Sequence, residues 1–228
     1  QRKGLWTFDN ANDMLAAEIG LPLTLTGTQE SVAGPDEGNL ATRIGLGSYL
    51  SMEHQIAANG GGTYVNEFSL QIDFSVPETN MWHAFIQTNV ENGNDADLFT
   101  NTSNAIGVGD LGYSENTISA NTWYRLVISV KNDNFFKIYM NGELWLDGAG
   151  QPLDGRYGLD PFLILFGDDD GDDAVIACAE VAIWDVALTS DEVALLGDAS
   201  ANTGIADPKP FASASDLGQN YPNPFSLQ

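Results

Sequence analysis

The chain has 228 residues, enough for one all-β domain of ordinary size, and 32 acidic against 8 basic side chains give it a net charge of −24. This charge repels nucleic-acid phosphates and anionic lipid, so nucleic acid is not an expected partner. No stretch is apolar over the length that a bilayer requires, so we expect no membrane insertion. The acidity suits calcium, high salt or simple solubility, and composition alone leaves these three open.

Short segments of alternating apolar and polar residues run through the first two thirds of the chain, as half-buried strands do. Residues 5–9, 21–26 and 67–77 are predicted strands, and residues 12–19 are predicted to form one helical turn. The alternation is clearest in 67–77, where one face carries Phe68, Leu70, Ile72, Phe74 and Val76. The opposite face carries Ser69, Gln71, Asp73 and Ser75.

A hairpin is predicted at Asn141-Gly142, because Asn-Gly between two alternating apolar runs favours a type I′ turn. About a dozen short strands separated by turn residues predict an antiparallel sandwich of two sheets. The single cysteine, Cys178, excludes an intrachain disulfide and is expected in the core.

An acidic loop lies between the last two predicted strands, and five of the six residues in 168–173 are aspartates. These carboxylates repel one another unless water, salt or a cation screens them, and a hard cation prefers several such oxygens. The alternative is a solvated acidic turn. After the second strand, Thr189 and Glu192 fit a capping box for a short helix that Gly197 ends.

The segment EVAIWDVALTSDEVALLG at 180–197 resembles the closing strand and helix of LamG-like domains, which have the concanavalin A-type jelly roll. The segments LWTFD at 5–9, GLGSYL at 45–50 and NTWYRL at 121–126 resemble the opening and middle of the same family. The resemblance covers residues 5–197 and implies an all-β, two-sheet antiparallel jelly-roll sandwich as one domain over 1–198.

The resemblance also implies a calcium ion, held at the loop rim or between the first and last strands. Asp9 lies in the first-strand motif and Glu180 in the last, but Ala179 stands where family members often have an aspartate, which weakens the inter-strand site. The loops 89–97 and 168–173 offer further oxygens. The predicted metal ligands are Asp9, Asp95, Asp97, Asp168, Asp170 and Glu180.

A ligand surface would combine aromatic faces with polar edges. Tyr113 and Tyr157 lie in glycine-rich loops and are predicted to be exposed and ligand-binding, whereas Trp6 and Trp184 are expected in the core. Trp82, Trp123 and Trp145 are further aromatic candidates.

Catalysis is not expected. No strand carries the alternating acidic residues of jelly-roll glucanases, and Glu180 has uncharged residues two places away on either side. His54 and His83 are far apart in sequence, and His83 is predicted to be a hydrogen-bonded strand histidine rather than a base.

The C-terminal region differs in composition. Residues 199–216 are predicted to be a linker, and LGQNYPNPF at 217–225 resembles the opening of the sorting domain of type IX secretion cargo. The resemblance covers the truncated segment 217–228 and implies export by the type IX secretion machinery. Tyr221 and Phe225 are predicted to dock into apolar pockets of a partner.

These observations predict a secreted, non-catalytic recognition or adhesion module that binds a glycan or a protein at the cell surface with the help of calcium. The first alternative is a structural subunit of an extracellular assembly, a homo-oligomer or larger, held together by its C-terminal tail. The second alternative is a glycosidase of the jelly-roll class.

Overall fold

The computed structural model describes residues 1–199, which form fifteen β-strands and one α-helix. The strands are β1 (Arg2–Trp6), β2 (Thr24–Thr26), β3 (Gln29–Ala33), β4 (Leu40–Ile44), β5 (Tyr49–Glu53), β6 (Glu67–Ser75), β7 (His83–Gln87), β8 (Leu98–Thr100), β9 (Ala105–Val108), β10 (Gly112–Thr117), β11 (Tyr124–Lys131), β12 (Phe135–Met140), β13 (Glu143–Ala149), β14 (Phe162–Leu165) and β15 (Ile176–Trp184), and the helix is α1 (Ser190–Leu196). No helix among residues 1–199 is long and apolar enough to cross a bilayer. Apart from Ala199, the predicted linker at 199–216 and the segment 217–228, with Tyr221 and Phe225, lie outside the described residues.

The strands form two antiparallel sheets, as the sequence predicted. The first sheet has the order β13-β12-β11-β6-β15-β4-β3, and β1 also pairs with β15. The second has the order β10-β9-β8-β7-β14-β5-β2. Strand β15 therefore has β6 along one edge, while its other edge pairs first with β4 and then with β1.

The core lies between the two sheets. Phe68, Leu70, Ile72 and Phe74 of β6 all belong to it, which confirms the predicted alternation of that strand. Phe74 meets Phe85 of β7 edge-on, with ring centroids 4.7 Å apart, so side chains of the two sheets are in direct contact. The predicted core residues Trp6, Trp184 and Cys178 are all buried.

The opposite face of β6 is buried as well, because the segment 185–199 lies across it. The Ser69 hydroxyl accepts a hydrogen bond from the Leu188 amide at 2.8 Å, and the Ser129 hydroxyl donates to the Leu188 carbonyl at 2.8 Å. A second apolar cluster fills the space between this segment and the sheet. Its buried members are Val127, Tyr139, Ala182, Trp184, Leu188, Val193 and Leu196. Ser69 of β6 therefore bonds to the covering segment, while Gln71 and Asp73 bond to Glu180 and Arg125 on the neighbouring strands.

A buried ion pair joins the first sheet to this covering segment. Arg125 of β11 donates to both carboxylate oxygens of Asp73 on β6, at 2.8 and 2.6 Å, and also to the Leu196 carbonyl at the end of α1. Burial raises the pKa of Asp73 to about 6, and the bonds from Arg125 act in the opposite direction. The pair thus connects β6, β11 and α1 through one guanidinium group.

Two local signals in the sequence are confirmed. Asn141 and Gly142 both have positive φ angles, 52° and 81°, as a type I′ turn requires. Thr189 caps α1, and both hydrogen bonds of the capping box with Glu192 are formed.

The N-terminal predictions were wrong in detail. Residues 12–19 contain no helix, because the amides of Glu18 and Ile19 bond to the Leu5 carbonyl. The first strand ends at Trp6, since the backbone turns at Phe8, whose φ is 55°. The strand predicted at 21–26 is shortened to Thr24–Thr26.

We expect Arg125→Leu to lower the free energy of unfolding by about 3–5 kcal/mol, because it leaves Asp73 buried without its cation. The deficit should shrink as the pH falls towards 6, because loss of the guanidinium raises the pKa of Asp73 further in the variant and a protonated Asp73 carries no buried charge. The matched control is Arg43→Leu, which removes an exposed pair with Glu30 and should cost less than about 1 kcal/mol. Urea denaturation measures the free energy of unfolding of both variants. Equal losses of stability in Arg125→Leu and Arg43→Leu would contradict the role of the buried pair.

Candidate functional site

A groove of about 510 Å³ lies where four connections between strands meet. The β4–β5 connection contributes Leu46, the β6–β7 connection residues 77–82, the β8–β9 connection Thr102 and the β14–β15 connection residues from 171–175. We call it the Trp82 groove. A concave site of this size is large enough to hold a small ligand.

The β6–β7 connection is held in place by two asparagines. Pro77 follows β6 and cannot donate to a sheet, which helps to end the strand. The Asn80 amide donates to the Asn104 side chain at 2.6 Å, and Asn104 donates back to the Asn80 side chain at 3.3 Å. Both residues have positive φ angles, a conformation that asparagine tolerates well. The connection is therefore fixed to the β8–β9 turn before any ligand binds.

Trp82 forms one wall of the groove and is half-buried. Its ring packs edge-on against Phe99, with centroids 5.5 Å apart, and lies 6.4 Å from the ring of Tyr113. The Ala174 amide donates to the Trp82 carbonyl at 3.3 Å, which places the 171–175 segment beside the tryptophan. The groove thus has an anchored aromatic side chain at its edge.

His83, the first residue of β7, also lines the groove. It is 1% exposed, its Nδ1 lies 3.2 Å from the Thr100 hydroxyl, and its Nε2 has no hydrogen-bond partner. Burial lowers the pKa of His83 to about 4; the Met81 backbone opposes this shift without making a hydrogen bond of normal geometry to Nε2. His83 is therefore neutral at pH 7, and the prediction that it is fully hydrogen-bonded was wrong for one of its two nitrogens.

A cluster of four carboxylates lies close to the groove. Carboxylate oxygens of Asp95, Asp168, Asp169 and Asp170 all lie within 4.8 Å of one another. Asp168 is buried and accepts hydrogen bonds from the amides of Ala96, Asp170 and Asp172 at 2.8, 3.3 and 3.2 Å. The structure therefore brings together three of the predicted metal ligands and adds Asp169.

The donor set of this cluster fits a hard cation. Within residues 1–199 no Lys or Arg forms an ion pair with any of the four carboxylates. The hydrogen bond and the charge of Asp168 raise the pKa of Asp170, which shows that like charges are held close together. Several carboxylate oxygens at one point are the ligands that calcium prefers.

Asp97 is not part of this cluster. One of its carboxylate oxygens accepts from the amide and hydroxyl of Thr88 at 2.7 and 2.8 Å, and the other pairs with Arg156. Arg156 supplies the positive charge, so Asp97 anchors a loop rather than adding a free oxygen to the cation site.

Asp9 and Glu180 meet at the point where the edge of β15 passes from β4 to β1. They line a cavity of about 30 Å³ together with Asp73 and Arg125. Asp9 accepts from the Leu40 amide at 2.9 Å, Glu180 accepts from Gln71 at 2.6 Å, and Arg125 lies 3.9 Å from Glu180.

The guanidinium group of Arg125 already provides the counter-charge at this junction, so the inter-strand donor set does not fit a calcium ion. The cavity has room for one or two water molecules. Glu180 and Asp73 are neighbours across β15 and β6.

A family model described as the concanavalin A-like lectin/glucanases superfamily (Laminin_G_3) matches residues 51–194, more than half of the chain. The chain belongs to this superfamily. The match confirms the predicted LamG-like resemblance over that range. No curated protein sequence matches the chain.

Solved structures show the same superfamily fold. Domain 4 of AbnA, a GH43 extracellular arabinanase from Geobacillus stearothermophilus in complex with arabinotriose, has a TM-score of 0.59 and 18% identity, covering 86% of this chain and 98% of that one. The receptor-binding domain of botulinum neurotoxin C/D mosaic serotype has a TM-score of 0.59 and 12% identity, covering 86% of this chain and 50% of that one. Trypanosoma rangeli sialidase has a TM-score of 0.61 and 14% identity, covering 85% of this chain and 32% of that one. The last two are therefore much longer than this chain.

These identities support the fold alone, and the superfamily fold occurs in binding domains and in a glycosidase. The site must therefore be argued from this chain's own residues. Tyr113 is half-buried and its ring lies beside Trp82, but it does not line the groove. The prediction for Tyr157 was wrong: it is 1% exposed and packs against Phe136, with ring centroids 4.8 Å apart.

Sequence reasoning also missed the groove itself. Trp82 was one of several aromatic candidates, and nothing in the local sequence placed it beside residues 171–175. The available signal was the pair Trp82-His83 at the start of a predicted strand, directly after a connection containing proline and asparagine.

Proposed function

We propose that this protein is a secreted, non-catalytic module that binds glycans at the cell surface through the Trp82 groove. The observation that carries the proposal is the combination, in one groove, of a half-buried tryptophan with the exposed polar side chains of Asn80 and Thr102. Sugars present apolar C–H faces and hydroxyl edges, and a groove with an aromatic wall and exposed polar side chains complements both.

The comparisons support this class of ligand. The arabinanase domain that shares the fold was solved with arabinotriose, and a botulinum neurotoxin type C structure concerns interaction with two ganglioside molecules. Another botulinum binding domain was solved with synaptotagmin II, so protein ligands also occur among the structural neighbours. For this chain the glycan is favoured, because the groove is small and lined by separate polar and aromatic groups.

The non-catalytic part of the proposal rests on how the carboxylates of the groove are held. Glu78 and Asp172 line the groove, and within residues 1–199 neither side chain accepts a hydrogen bond or forms an ion pair. A catalytic acid or nucleophile needs a fixed position relative to the scissile bond. Two unsupported carboxylates at a groove edge are better suited to setting its charge.

We propose that calcium binds the cluster of Asp95, Asp168, Asp169 and Asp170 and strengthens the groove. The support is the donor set and its position in the chain, because Asp168 bonds to the Asp172 amide and Asp172 lines the groove. A bound cation would relieve the repulsion within 168–173 and hold this loop against the groove.

Export by the type IX secretion machinery, and any larger assembly through the tail, are proposed from the sequence resemblance of 217–228 alone. These residues lie beyond the described part of the chain, whereas the groove and the cluster are formed by residues within 1–199. The proposals for ligand and cation can therefore be tested with the full chain in solution.

Trp82→Ala should weaken the binding of a neutral oligosaccharide such as arabinotriose by about 30-fold, equivalent to roughly 2 kcal/mol for a buried aromatic contact. Trp123→Ala is the matched control, since Trp123 is also half-buried but does not line this groove. Isothermal titration calorimetry against a panel of neutral oligosaccharides measures the loss, and melting temperatures check folding. Equal losses in the two variants, or release of reducing ends during the titration, would contradict the proposal.

Chelation of calcium should lower the melting temperature at fixed ionic strength, because an ion that binds only the folded state stabilises it by about 2.7 kcal/mol at 100 times its Kd. For a domain of this size that corresponds to roughly 5–10 °C. Asp168→Asn should abolish the response, whereas Asp9→Asn should keep it. If Asp9→Asn abolished the change in melting temperature and Asp168→Asn kept it, the ion would instead bind at the inter-strand junction.

A further inference from the structure

The charge and hydrogen-bonding capacity of the Trp82 groove define the class of glycan that it accepts. We propose that the groove binds uncharged saccharides and rejects saccharides that carry carboxylate or sulfate groups. This inference rests on the proposed glycan-binding function and adds the charge of the ligand to it.

The ionisable side chains at the groove are acidic or neutral. Glu78 is exposed and Asp172 is half-buried, and both line the groove. The lining residues within 1–199 include no Lys or Arg. A carboxylate or sulfate on a ligand would therefore meet like charges and no counter-charge, which makes its binding unfavourable.

Two cationic side chains lie on the neighbouring surface, and both are paired with carboxylates. Arg43 lines two depressions that adjoin the groove at Pro77 and Val175, and it pairs with Glu30 at 2.6 Å. Arg156 lines the depression that contains Asp95 and Asp169, but its guanidinium pairs with Asp97 and Asp110 and donates to the Ala96 carbonyl at 2.9 Å. Turning it towards a ligand in the groove would leave Asp97 buried and unpaired, which is costly. Arg156 therefore does not serve as an anion receptor for the groove.

His83 contributes no positive charge to the groove. Burial lowers its pKa to about 4, so the ring is uncharged at neutral pH.

The apolar lining is also suited to an uncharged ring. Leu46 is 67% exposed at the edge of the groove, and Trp82, Pro77 and Val175 complete an apolar surface around the polar atoms. Isolated exposed leucines are common, but this one shares a groove with an aromatic wall. The C–H face of a neutral pyranose or furanose can cover this surface without burying a charge.

The test compares matched ligands on the full chain. Cellotriose and its C6-oxidised glucuronate counterpart differ in charge at the same linkage, and galacto- and manno-configured pairs extend the comparison to other stereochemistry. Binding is measured by calorimetry at low and high sodium chloride with calcium held constant. We expect the uronate to bind at least about tenfold more weakly than its neutral partner at low salt, with the gap narrowing as salt screens the repulsion.

Two variants assign the selectivity to the groove. Glu78→Gln/Asp172→Asn should move the affinity ratio of uronate to neutral ligand towards one. Glu115→Gln/Glu143→Gln removes the same charge from exposed positions outside the groove and should leave the ratio unchanged.

The outcomes separate this inference from the function on which it rests. If none of the neutral or acidic saccharides binds, the proposed function fails and the inference fails with it. If uronates bind as tightly as their neutral partners, or bind only when calcium bridges them, glycan binding stands and the neutral selectivity is overturned. If the affinity ratio of uronate to neutral ligand changes equally in the two double variants, the neutral selectivity of the groove is also overturned, because the net charge of the chain would then be the cause.

Discussion

The buried pair of Asp73 and Arg125 decides which surfaces of this protein are available. Through the Leu196 carbonyl it holds the segment 185–199 against the outer face of the first sheet. A sheet of a sandwich normally has one face in the core and one in water, and here the centre of that second face is covered. The candidate ligand surface consequently lies at the loop rim and beside the second sheet, where Trp82 and Tyr113 are only half-buried.

The loop 168–173 contributes residues to both candidate sites at the loop rim, the carboxylate cluster and the Trp82 groove. Asp168 directs its carboxylate at the amides of its own loop and at Ala96, and this brings the side chains of Asp169 and Asp170 next to Asp95. A few residues later the same loop reaches the groove with Asp172 and bonds to the Trp82 carbonyl through Ala174. Gly171, at φ 101°, permits the change of direction between the two parts.

Much of the fold could be predicted from local patterns, because those patterns are set by backbone geometry. The period-2 alternation of β6, the Asn141-Gly142 turn and the capping box at Thr189 each depend on residues close in sequence. The cover over β6 could not be predicted in this way, since serine and aspartate look the same whether they face water or a covering backbone. Tyr157 was misjudged for a similar reason: a glycine-rich loop indicates a turn but not what the turn packs against. The groove was missed because its lining comes from four separate connections.

The chain leaves the described fold at Ala199, which borders the small cavity next to Asp9 and Arg125 on the first sheet. Trp82 precedes a strand of the other sheet. A force applied at Ala199 would therefore first load the hydrogen bonds that hold the segment 185–199 at Leu188 and Leu196. The strand that follows Trp82 lies in the other sheet and carries none of these bonds.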